Sequence, residues 1–532
     1  MQCTNPRLTR LLSRYISYIA AMSRKFLLLF LLTAFVPSAG AQPDAWLQVT
    51  TSHFVVVSNS TEQEARRAAL QFERMRSVFA RIFPHQNIDT PTPIVVLAVQ
   101  DKRNLQALEP AAYLGKGQAF VVGQFLHSPE KNYVLILLNA PGLHPYAPIY
   151  HEYAHFVQSR TGEWMPLWLT EGWAEFYQTA EILDNEVIVG KLDAGSWQFL
   201  ERNQLLPLST LFTVDMHSPY YHEEEKTSMF YAESWALTHY VKMKDARENT
   251  HRLQDYLDLV HKNVDVVAAA TQAFGDLAQL QADLRKYIAN PDFDLAHIPG
   301  STDVNDSSFT LQALTQTQAD TVRADVMAHD QRDTEARTLL EAVLHDDPAN
   351  VPARESMGYI AFRQLNFDEA RKWFEEALKL DPQNLLANYY FAGAVIKKGL
   401  PDAATQARVE SSLRTAIKLN PSFAPAYYGL GLLFTMQGKN YDEARRWMEK
   451  AIEMDPGNVE FRIDYGSLLM RMKKNKDAVD ALELALKMAR TPEQTAAVEN
   501  VLQTVRRFEA EQSKQQHQTQ KRLDDRSIPS AK

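Results

Sequence analysis

The chain has 532 residues but only one cysteine, Cys3, and no strongly basic stretch. A single cysteine cannot form an internal disulfide bond, so stability has to come from packing. The formal net charge is −9, and nucleic acid is therefore not an expected partner. The apolar run "FLLLFLLTAFV" (26–36) has eleven residues, which are too few to span a bilayer. We expect no membrane-spanning segment in the mature chain.

The N-terminus has the pattern of a secretory signal peptide. The basic residues Arg24 and Lys25 precede the apolar run, and the small residues 39–41 follow it. Residues 1–41 are predicted to be removed by cleavage after Ala41, which would place the protein in the periplasm or outside the cell. Cys3 would be lost with this peptide, so the mature chain would contain no cysteine. Met22 directly precedes the signal and is an alternative start of translation.

The second half of the chain is repetitive. Proline recurs after Asp or Asn at Pro348, Pro382, Pro421 and Pro456, at intervals of 34, 39 and 35 residues. This period resembles the tetratricopeptide repeat, a helix–turn–helix unit that stacks into an all-α superhelix. We expect about five units over residues 317–490.

Small residues recur where paired helices of such a unit must approach closely. They are Ala324, Gly358, Ala392, Gly431 and Gly466 in the first helices, and Ala336, Ala370, Ala444 and Ala478 in the second helices. The third unit departs from the pattern, with extra residues near 397–409 and Val409 in place of alanine. A capping helix (491–510) and a disordered polar tail (511–532) are expected to follow. Repeat arrays usually form a groove for a protein partner, which the repeats alone do not identify.

The first half has a different pattern. Segments 46–58, 93–99, 117–125 and 132–139 have the alternation or apolar character of strands, and residues 61–83 have the period of a helix. The sequence is then mostly helical up to about residue 290. We therefore expect one domain over 43–290 with an α/β lobe and a helical lobe. Residues 291–316, rich in Pro, Gly, Ser and Asp, are the predicted linker to the repeats.

The stretch "IYHEYAHFVQ" (149–158) has the features of a metal-binding helix. His151 and His155 are one helical turn apart and project from the same face. Such a pair binds one zinc ion, and the Glu after the first histidine, here Glu152, acts as general base on a water molecule. The opposite face carries the apolar residues expected in the core: Ile149, Tyr153, Phe156 and Val157.

A hydrolytic zinc site needs a third protein ligand and one open position. The next segment, "MPLWLTEGWAEFYQ" (165–178), contains Glu171 and Glu175, one helical turn apart on one face. Glu171 follows His155 by sixteen residues, which allows a short connection and a second, antiparallel helix. Gly172 would let this second helix approach its neighbour closely.

The two segments together resemble the gluzincin metallopeptidases, the group of thermolysin and the zinc aminopeptidases. "HEYAH" followed by "WLTEGWAEFY" is most similar to the peptidase-MA-like group of exported bacterial proteins, some of which carry tetratricopeptide repeats. The resemblance covers roughly residues 45–290 and implies a zincin-like fold with one Zn²⁺ per chain.

The resemblance also implies roles for single residues. His151, His155 and Glu171 would bind zinc, and Glu152 would be the general base. Glu175 would steady the histidine ligand His151 through its free ring nitrogen. The alternative exchanges the two carboxylates and places Glu175 on the metal.

Related enzymes also use a tyrosine or histidine to donate a hydrogen bond to the developing oxyanion. Tyr231, on a predicted helix over 228–243, is the candidate that fits the spacing of the family. Tyr220, Tyr221 and His222 are the rivals. The glycine-rich motif with which aminopeptidases hold a free N-terminus is not found, which favours an endopeptidase.

Three functions remain open from the sequence. The first is an exported zinc-dependent metallopeptidase that hydrolyses peptide or protein substrates and uses its repeats for protein recognition. The alternative is a repeat scaffold or adaptor of the cell envelope whose peptidase-like domain is weakly active or inactive. A third is a zinc hydrolase that acts on a non-peptide bond.

Overall fold

A computed structural model describes most of the chain after the predicted signal peptide. The described residues are 45–83, 88–108, 123–128, 130–139, 146–215, 218–222, 224–290, 293–299, 304–399 and 401–526. The predicted cleavage site and Met22 lie outside these ranges. Within them, none of the helices combines the length and the apolar character needed to cross a membrane.

Short strands and longer helices alternate through the first part of the chain. The strands are β1 (Trp46–Thr50), β2 (Phe54–Ser58), β3 (Ile94–Val99), β4 (Gly123–Leu126), β5 (Tyr133–Leu137), β6 (Glu181–Ile182), β7 (Glu186–Val189), β8 (Ala296–Pro299) and β9 (Thr310–Leu314). The helices are α1 (Glu62–Ile82), α2 (Lys102–Gln106), α3 (Ala147–Thr161), α4 (Leu167–Gln178), α5 (Ala194–Arg202), α6 (Leu208–Thr213), α7 (Pro219–His222), α8 (Glu224–Glu248), α9 (Arg252–His261), α10 (Val266–Phe274) and α11 (Leu277–Ile288).

The N-terminal region is therefore α/β followed by a helical lobe. Six of its described strands form a mixed sheet in the order β4-β5-β3-β2-β1-β9. The strand β3 is parallel to both β2 and β5, whereas the β1–β2, β1–β9 and β4–β5 pairs are antiparallel. The helices after α4 bury a second apolar core that includes Trp168 and Trp235.

Both faces of the central strands are buried, which explains why β3 and β5 consist of aliphatic residues apart from Tyr133. Successive side chains of a strand point to opposite faces. Val96 and Ile136 pack with residues of α1 and α3 in one core, whereas Leu97 and Leu135 belong to a separate core with residues of the repeats. The first domain and the repeat array thus share a hydrophobic core.

The predicted linker 291–316 contains two strands, so that prediction is wrong for the described part of this segment. Strand β8 pairs with β7, with Ile298 opposite Val187, and β9 completes the edge of the main sheet, with Leu311 opposite Val49. Both pairings are with residues far away in sequence. The domain therefore extends to residue 314.

The repeats form five pairs of helices followed by one long helix in the described residues. The pairs are α12 (Gln316–His329) with α13 (Asp333–Asp346), α14 (Val351–Arg363) with α15 (Phe367–Leu380), α16 (Leu385–Lys398) with α17 (Ala403–Leu419), α18 (Ala424–Gln437) with α19 (Tyr441–Met454) and α20 (Val459–Arg471) with α21 (Asn475–Met488). The extra residues of the third unit lengthen α17, in which Val409 is fully buried.

The last helix, α22 (Pro492–Arg526), is longer than predicted. It packs on the fifth unit through Val498, Leu502 and Val505. The prediction of disorder from residue 511 is wrong up to Arg526. The segment lacks apolar periodicity, but it is rich in Glu, Gln, Lys and Arg, which are good helix formers.

A buried network joins the sheet to the first helices of the first two units. Asp325 of α12 accepts hydrogen bonds from Lys131, from the hydroxyl of Tyr133 at 2.6 Å and from that of Ser356 of α14 at 2.8 Å. Burial alone would raise the pKa of Asp325, but the Lys131 ammonium and His329 lower it to about 2. The carboxylate is therefore ionised in the folded protein.

The third unit also contacts the first domain through its first helix. The hydroxyl of Tyr389 in α16 donates to Glu130 Oε1 at 3.0 Å, next to the start of β5. First helices of the first and third units therefore contact the first domain of the same chain, and the first helix of the second unit joins the network through Ser356 and Asp325.

A second contact lies at the end of α3, against the turn between the fourth and fifth units. A Cβ on Gly457 would lie 1.7 Å from the carbonyl oxygen of Ser159, so only glycine fits there. Arg160 Nη1 donates to Asp455 Oδ1 at 3.1 Å. The repeat array therefore contacts the helix that carries the two histidines.

We expect Gly457→Ala to destabilise the full chain by about 1–3 kcal/mol, because the added methyl group has to displace the Ser159 backbone. Thermal unfolding of the purified protein measures this. Gly393→Ala is the control, since its nearest heavy atom outside its own helix would be Phe362 Cε2 at 3.4 Å. Equal melting temperatures for the two variants would contradict the expected close contact.

Asp325→Asn should cost stability in a pH-dependent way. A carboxyl whose pKa falls from about 3.9 unfolded to about 2 folded contributes roughly 2–3 kcal/mol above pH 4. This contribution is lost as the pH falls towards 2, so the difference between wild type and variant in urea unfolding should shrink from pH 7 to pH 3. Asp320→Asn, which removes a carboxylate bonded to Arg323 on the same helix, should cost less than about 1 kcal/mol. A pH-independent Asp325 effect would refute the expectation.

Candidate metal centre

Helix α3 places the motif 149–158 between the sheet and the helical lobe. Pro148 lies in its first turn, where a missing N–H costs nothing, and Gly162 ends it in the left-handed conformation with φ +67°. The predicted apolar face is confirmed as core: Ile149, Tyr153, Phe156 and Val157 are all buried. The packing of this face leaves the two histidines on the side that meets α4.

His151, His155 and Glu171 meet at one point. The Nε2 atom of His155 lies 3.1 Å from His151 Nε2 and 3.1 Å from Glu171 Oε2, and the distance from His151 Nε2 to Glu171 Oε2 is 3.7 Å. Among the described residues, these three form a group of side chains able to hold a metal ion. The fold therefore brings the three predicted ligands together.

The donor atoms fit a zinc ion in kind and in spacing. Ligand bonds of about 2.1 Å in a tetrahedral site put neighbouring ligand atoms about 3.4 Å apart, close to the observed separations. Burial and the neighbouring His155 lower the pKa of His151 to about 4, so its imidazole is neutral at pH 7. Burial alone would raise the pKa of Glu171, but His155 and His151 lower it, which favours the anionic carboxylate.

Glu175 lies beside the other ring nitrogen of His151. Its Oε1 atom is 3.6 Å from His151 Nδ1, whereas Glu171 faces Nε2. Burial, with Asp193 and Glu171 adding to it, raises the pKa of Glu175 to about 8. Glu175 therefore lies beside one ring nitrogen of His151 and Glu171 beside the other, and the choice between the two assignments stays a prediction.

His155 differs from His151 in this respect. Its Nδ1 atom is buried and has no hydrogen-bond partner among the described residues. Histidines that bind metals usually donate from the second nitrogen, so His155 departs from the common pattern.

Glu152 keeps contact with solvent at the edge of the cluster. Removal from bulk water raises the pKa of its carboxyl, while His155 acts in the opposite direction and Glu171 raises it further. It is not one of the three clustered donors. A carboxyl with a raised pKa next to the cluster suits a group that accepts and returns a proton.

Of the predicted hydrogen-bond donors, Tyr221 contacts the cluster directly, and the side chain of His222 lies outside what the structure describes. Its hydroxyl donates to Glu171 Oε1 at 3.3 Å. Tyr231 stacks on Tyr221 with ring centroids 6.2 Å apart, and the two hydroxyls are hydrogen-bonded. Tyr231 therefore reaches Glu171 through Tyr221, and the choice between the two donors stays a prediction.

Gly172 does permit a close approach, but to α8. A Cβ at this position would lie 2.1 Å from Thr238 Oγ1 and 2.5 Å from the carbonyl oxygen of Ser234. This contact anchors α4 on the helical lobe directly beside Glu171. It helps to fix the position of the Glu171 carboxylate relative to the histidines of α3.

A cavity of about 480 Å³ opens next to the cluster. Its lining includes Glu171 and Tyr221 as well as residues 486–490 at the end of the fifth repeat unit. We call it the Glu171 cavity. Arg490 interacts electrostatically with Glu171, Tyr221 and Glu152. Sequence analysis missed Arg490, because no motif or spacing connects it to these three residues, which lie 269 to 338 positions earlier.

Comparisons with known proteins identify the repeats. Two family models, both described as tetratricopeptide repeat, match the chain. One matches residues 331–384 and 401–459, and the other matches residues 435–501. The C-terminal region is a tetratricopeptide repeat array. Such repeats indicate binding of a protein partner. No peptidase family model matches the chain.

The similar proteins match this chain over only part of its length. Anaphase-promoting complex subunit 3 of Schizosaccharomyces pombe is 29% identical over 127 residues, which are 24% of this chain and 18% of that protein. Hsp70-Hsp90 organizing protein 3 of Arabidopsis thaliana is 31% identical over 124 residues, 23% of this chain and 21% of that protein. The chain thus spans about a fifth of the length of these relatives. A thermophilic tetratricopeptide repeat protein of Thermus thermophilus has a TM-score of 0.31 at 18% identity, with 35% of this chain and 98% of that chain covered.

We expect the full chain to bind one zinc ion and Glu171→Gln to lose most of this affinity, since a charged ligand is replaced by a neutral amide. Glu175→Gln should weaken binding by only about 10- to 100-fold, as expected for a group that orients a ligand. Isothermal titration calorimetry measures both affinities. Glu201→Gln, an exposed carboxylate on α5, is the control. A larger loss in Glu175→Gln than in Glu171→Gln would support the exchanged assignment.

Proposed function

We propose that this protein is a zinc-dependent metallopeptidase whose catalytic domain is joined to a tetratricopeptide repeat array for protein recognition. The observation that carries the proposal is the convergence of His151, His155 and Glu171 within 4.8 Å. Neutral imidazoles and one carboxylate are the ligand set of hydrolytic zinc sites. The adjoining cavity gives a peptide access to Glu171.

The chemistry follows from the side chains around the cluster. Zinc, held by these three residues, would supply Lewis acidity and lower the pKa of a bound water. The Glu152 carboxylate accepts a proton from the attacking water and delivers it to the nitrogen of the leaving amine. The hydroxyl of Tyr221 or Tyr231 donates a hydrogen bond to the carbonyl oxygen as negative charge develops there.

The finer assignment rests on the resemblance of residues 149–178 to the gluzincins. It includes a zincin-like fold for the first domain, membership of the peptidase-MA-like group and an endopeptidase mode of action. Export to the periplasm or the medium rests on the signal-like residues 1–41. The order of sheet, α3 and α4, with the helical lobe after them, is compatible with this fold.

A second candidate is a scaffold or adaptor of the cell envelope with a weakly active or inactive peptidase-like domain. The comparisons favour this candidate, because all of the family models that match describe tetratricopeptide repeats and none describes a peptidase. On this alternative, the first domain occupies the helices around Asp325 and Tyr389, and a separate partner binds other surfaces of the array.

Glu152→Gln separates the two candidates. A peptidase should lose at least about a hundredfold in kcat on a peptide library, because the amide cannot accept a proton, while zinc content stays near one per chain. Mass spectrometry of the products and metal analysis are the measurements, with Glu201→Gln as the matched carboxylate control. A zinc-loaded wild type that cuts no peptide would favour the scaffold.

A further inference from the structure

The lining of the Glu171 cavity combines charged groups with apolar side chains. It includes Glu171 and Tyr221 of the candidate metal centre. Phe212, Val214 and Leu486 contribute apolar surface, and Arg490 belongs to the part of the lining that residues 486–490 supply, the repeat-side wall. A volume of about 480 Å³ is within the usual range of ligand pockets. It can hold a short segment of peptide next to the cluster.

The repeat-side wall is held in place by several contacts. Gly457 lies against Ser159, and Lys487 Nζ donates to Asn263 Oδ1 at 2.6 Å. The backbone N–H of Arg490 donates to Gln494 Oε1 at 2.8 Å, which ties it to the start of α22. Arg490 is therefore carried by a docked part of the fold, and its distance from the metal centre is set by packing.

The guanidinium of Arg490 is available for a ligand. Among the described residues, the hydrogen bond that Arg490 makes is that of its backbone N–H, while its side chain interacts electrostatically with Glu171, Tyr221 and Glu152. Lys487, the other cation of the cavity, is bonded to Asn263 and lies over the Trp164 ring at 5.7 Å. Arginine presents a planar set of donors that matches a carboxylate with two parallel hydrogen bonds.

The acidic residues of the cavity limit the alternatives. Glu171 is engaged by His155 and Tyr221, and Glu163 and Asp215 also have partners of their own. Glu499, on α22, is exposed. A positively charged peptide segment would have to replace the partners that these carboxylates already have, and it would be repelled by the Arg490 guanidinium. A negatively charged group meets Arg490 directly.

We propose that the Glu171 cavity is a substrate subsite in which Arg490, supplied by the repeat array, binds a carboxylate close to the bond that is cut. The carboxylate is either the C-terminus of the peptide or an Asp or Glu side chain, and the apolar walls take a neighbouring apolar side chain. This inference rests on the proposed peptidase function. It makes the repeat array part of the substrate site as well as a recruiting surface.

The test measures binding without turnover, by calorimetry on the full-length Glu152→Gln protein, with zinc and after chelation. Three acetylated pentapeptides of one apolar sequence serve as probes. The first ends in a carboxylate, the second in an amide, and the third ends in an amide but contains one internal Glu. Selectivity for the first or the third identifies the source of the carboxylate.

We expect Arg490→Met to weaken binding of the preferred acidic peptide by roughly 10- to 100-fold and to leave the neutral amide peptide unchanged. Lys487→Met is the matched control, since it removes a cation that is already bonded, and should retain the selectivity. Melting temperatures of all variants check folding. Equal weakening of acidic and neutral peptides, the same loss in Lys487→Met, or tighter binding of the neutral peptide by the parent protein would overturn the subsite.

The outcome also distinguishes the subsite from the catalytic proposal. Arg490-dependent binding of acidic peptides together with no cleavage by zinc-loaded wild type would support the subsite and remove the peptidase function. Cleavage by wild type with the same preference for acidic peptides in Arg490→Met would keep the peptidase and overturn the role of Arg490.

Discussion

The central sheet has two apolar faces, and the chain covers each with a different part of itself. Helices α1 and α3 cover one face, and the first repeat units cover the other. A sheet with β3 and β5 buried on both sides would expose a large apolar surface without the repeats. The positions of His151 and His155 follow from this covering of the sheet. Their helix α3 packs on the sheet along one side and against the turn at Gly457 at its end.

Glu171 is where the separate parts of the molecule meet. Its carboxylate contacts the histidines of α3 and the hydroxyl of Tyr221 in α7, and it interacts with Arg490 at the end of the fifth repeat unit. A buried carboxylate is costly unless cationic or hydrogen-bonding groups surround it. The arrangement therefore couples the catalytic proposal to the repeat array through electrostatics as well as through packing.

Local patterns in the sequence were sufficient for the parts of the site that lie within single helices. The spacing of His151, His155 and the apolar face of α3 depends only on helical geometry, and the repeat period depends on residue identities within each unit. The third ligand needed one further assumption, a tight connection between two helices, and Glu171 does lie beside His155.

The rest depended on contacts between distant residues. Strand β9 is short and mostly exposed, so its sequence shows little of the alternation of apolar and polar residues that marks a strand. Its pairing with β1 depends on residues far away in the sequence. Arg490 reaches the site because the repeat array contacts α3, with Gly457 against Ser159.

The covering of the sheet by residues late in the chain also affects the order of folding. Strand β9 and the repeat helices that cover the sheet all lie after residue 309. During synthesis, the unpaired edge of β1 and one apolar face of the sheet therefore stay exposed while more than a hundred intervening residues are made. Holding chaperones would be needed for longest at that stage of synthesis.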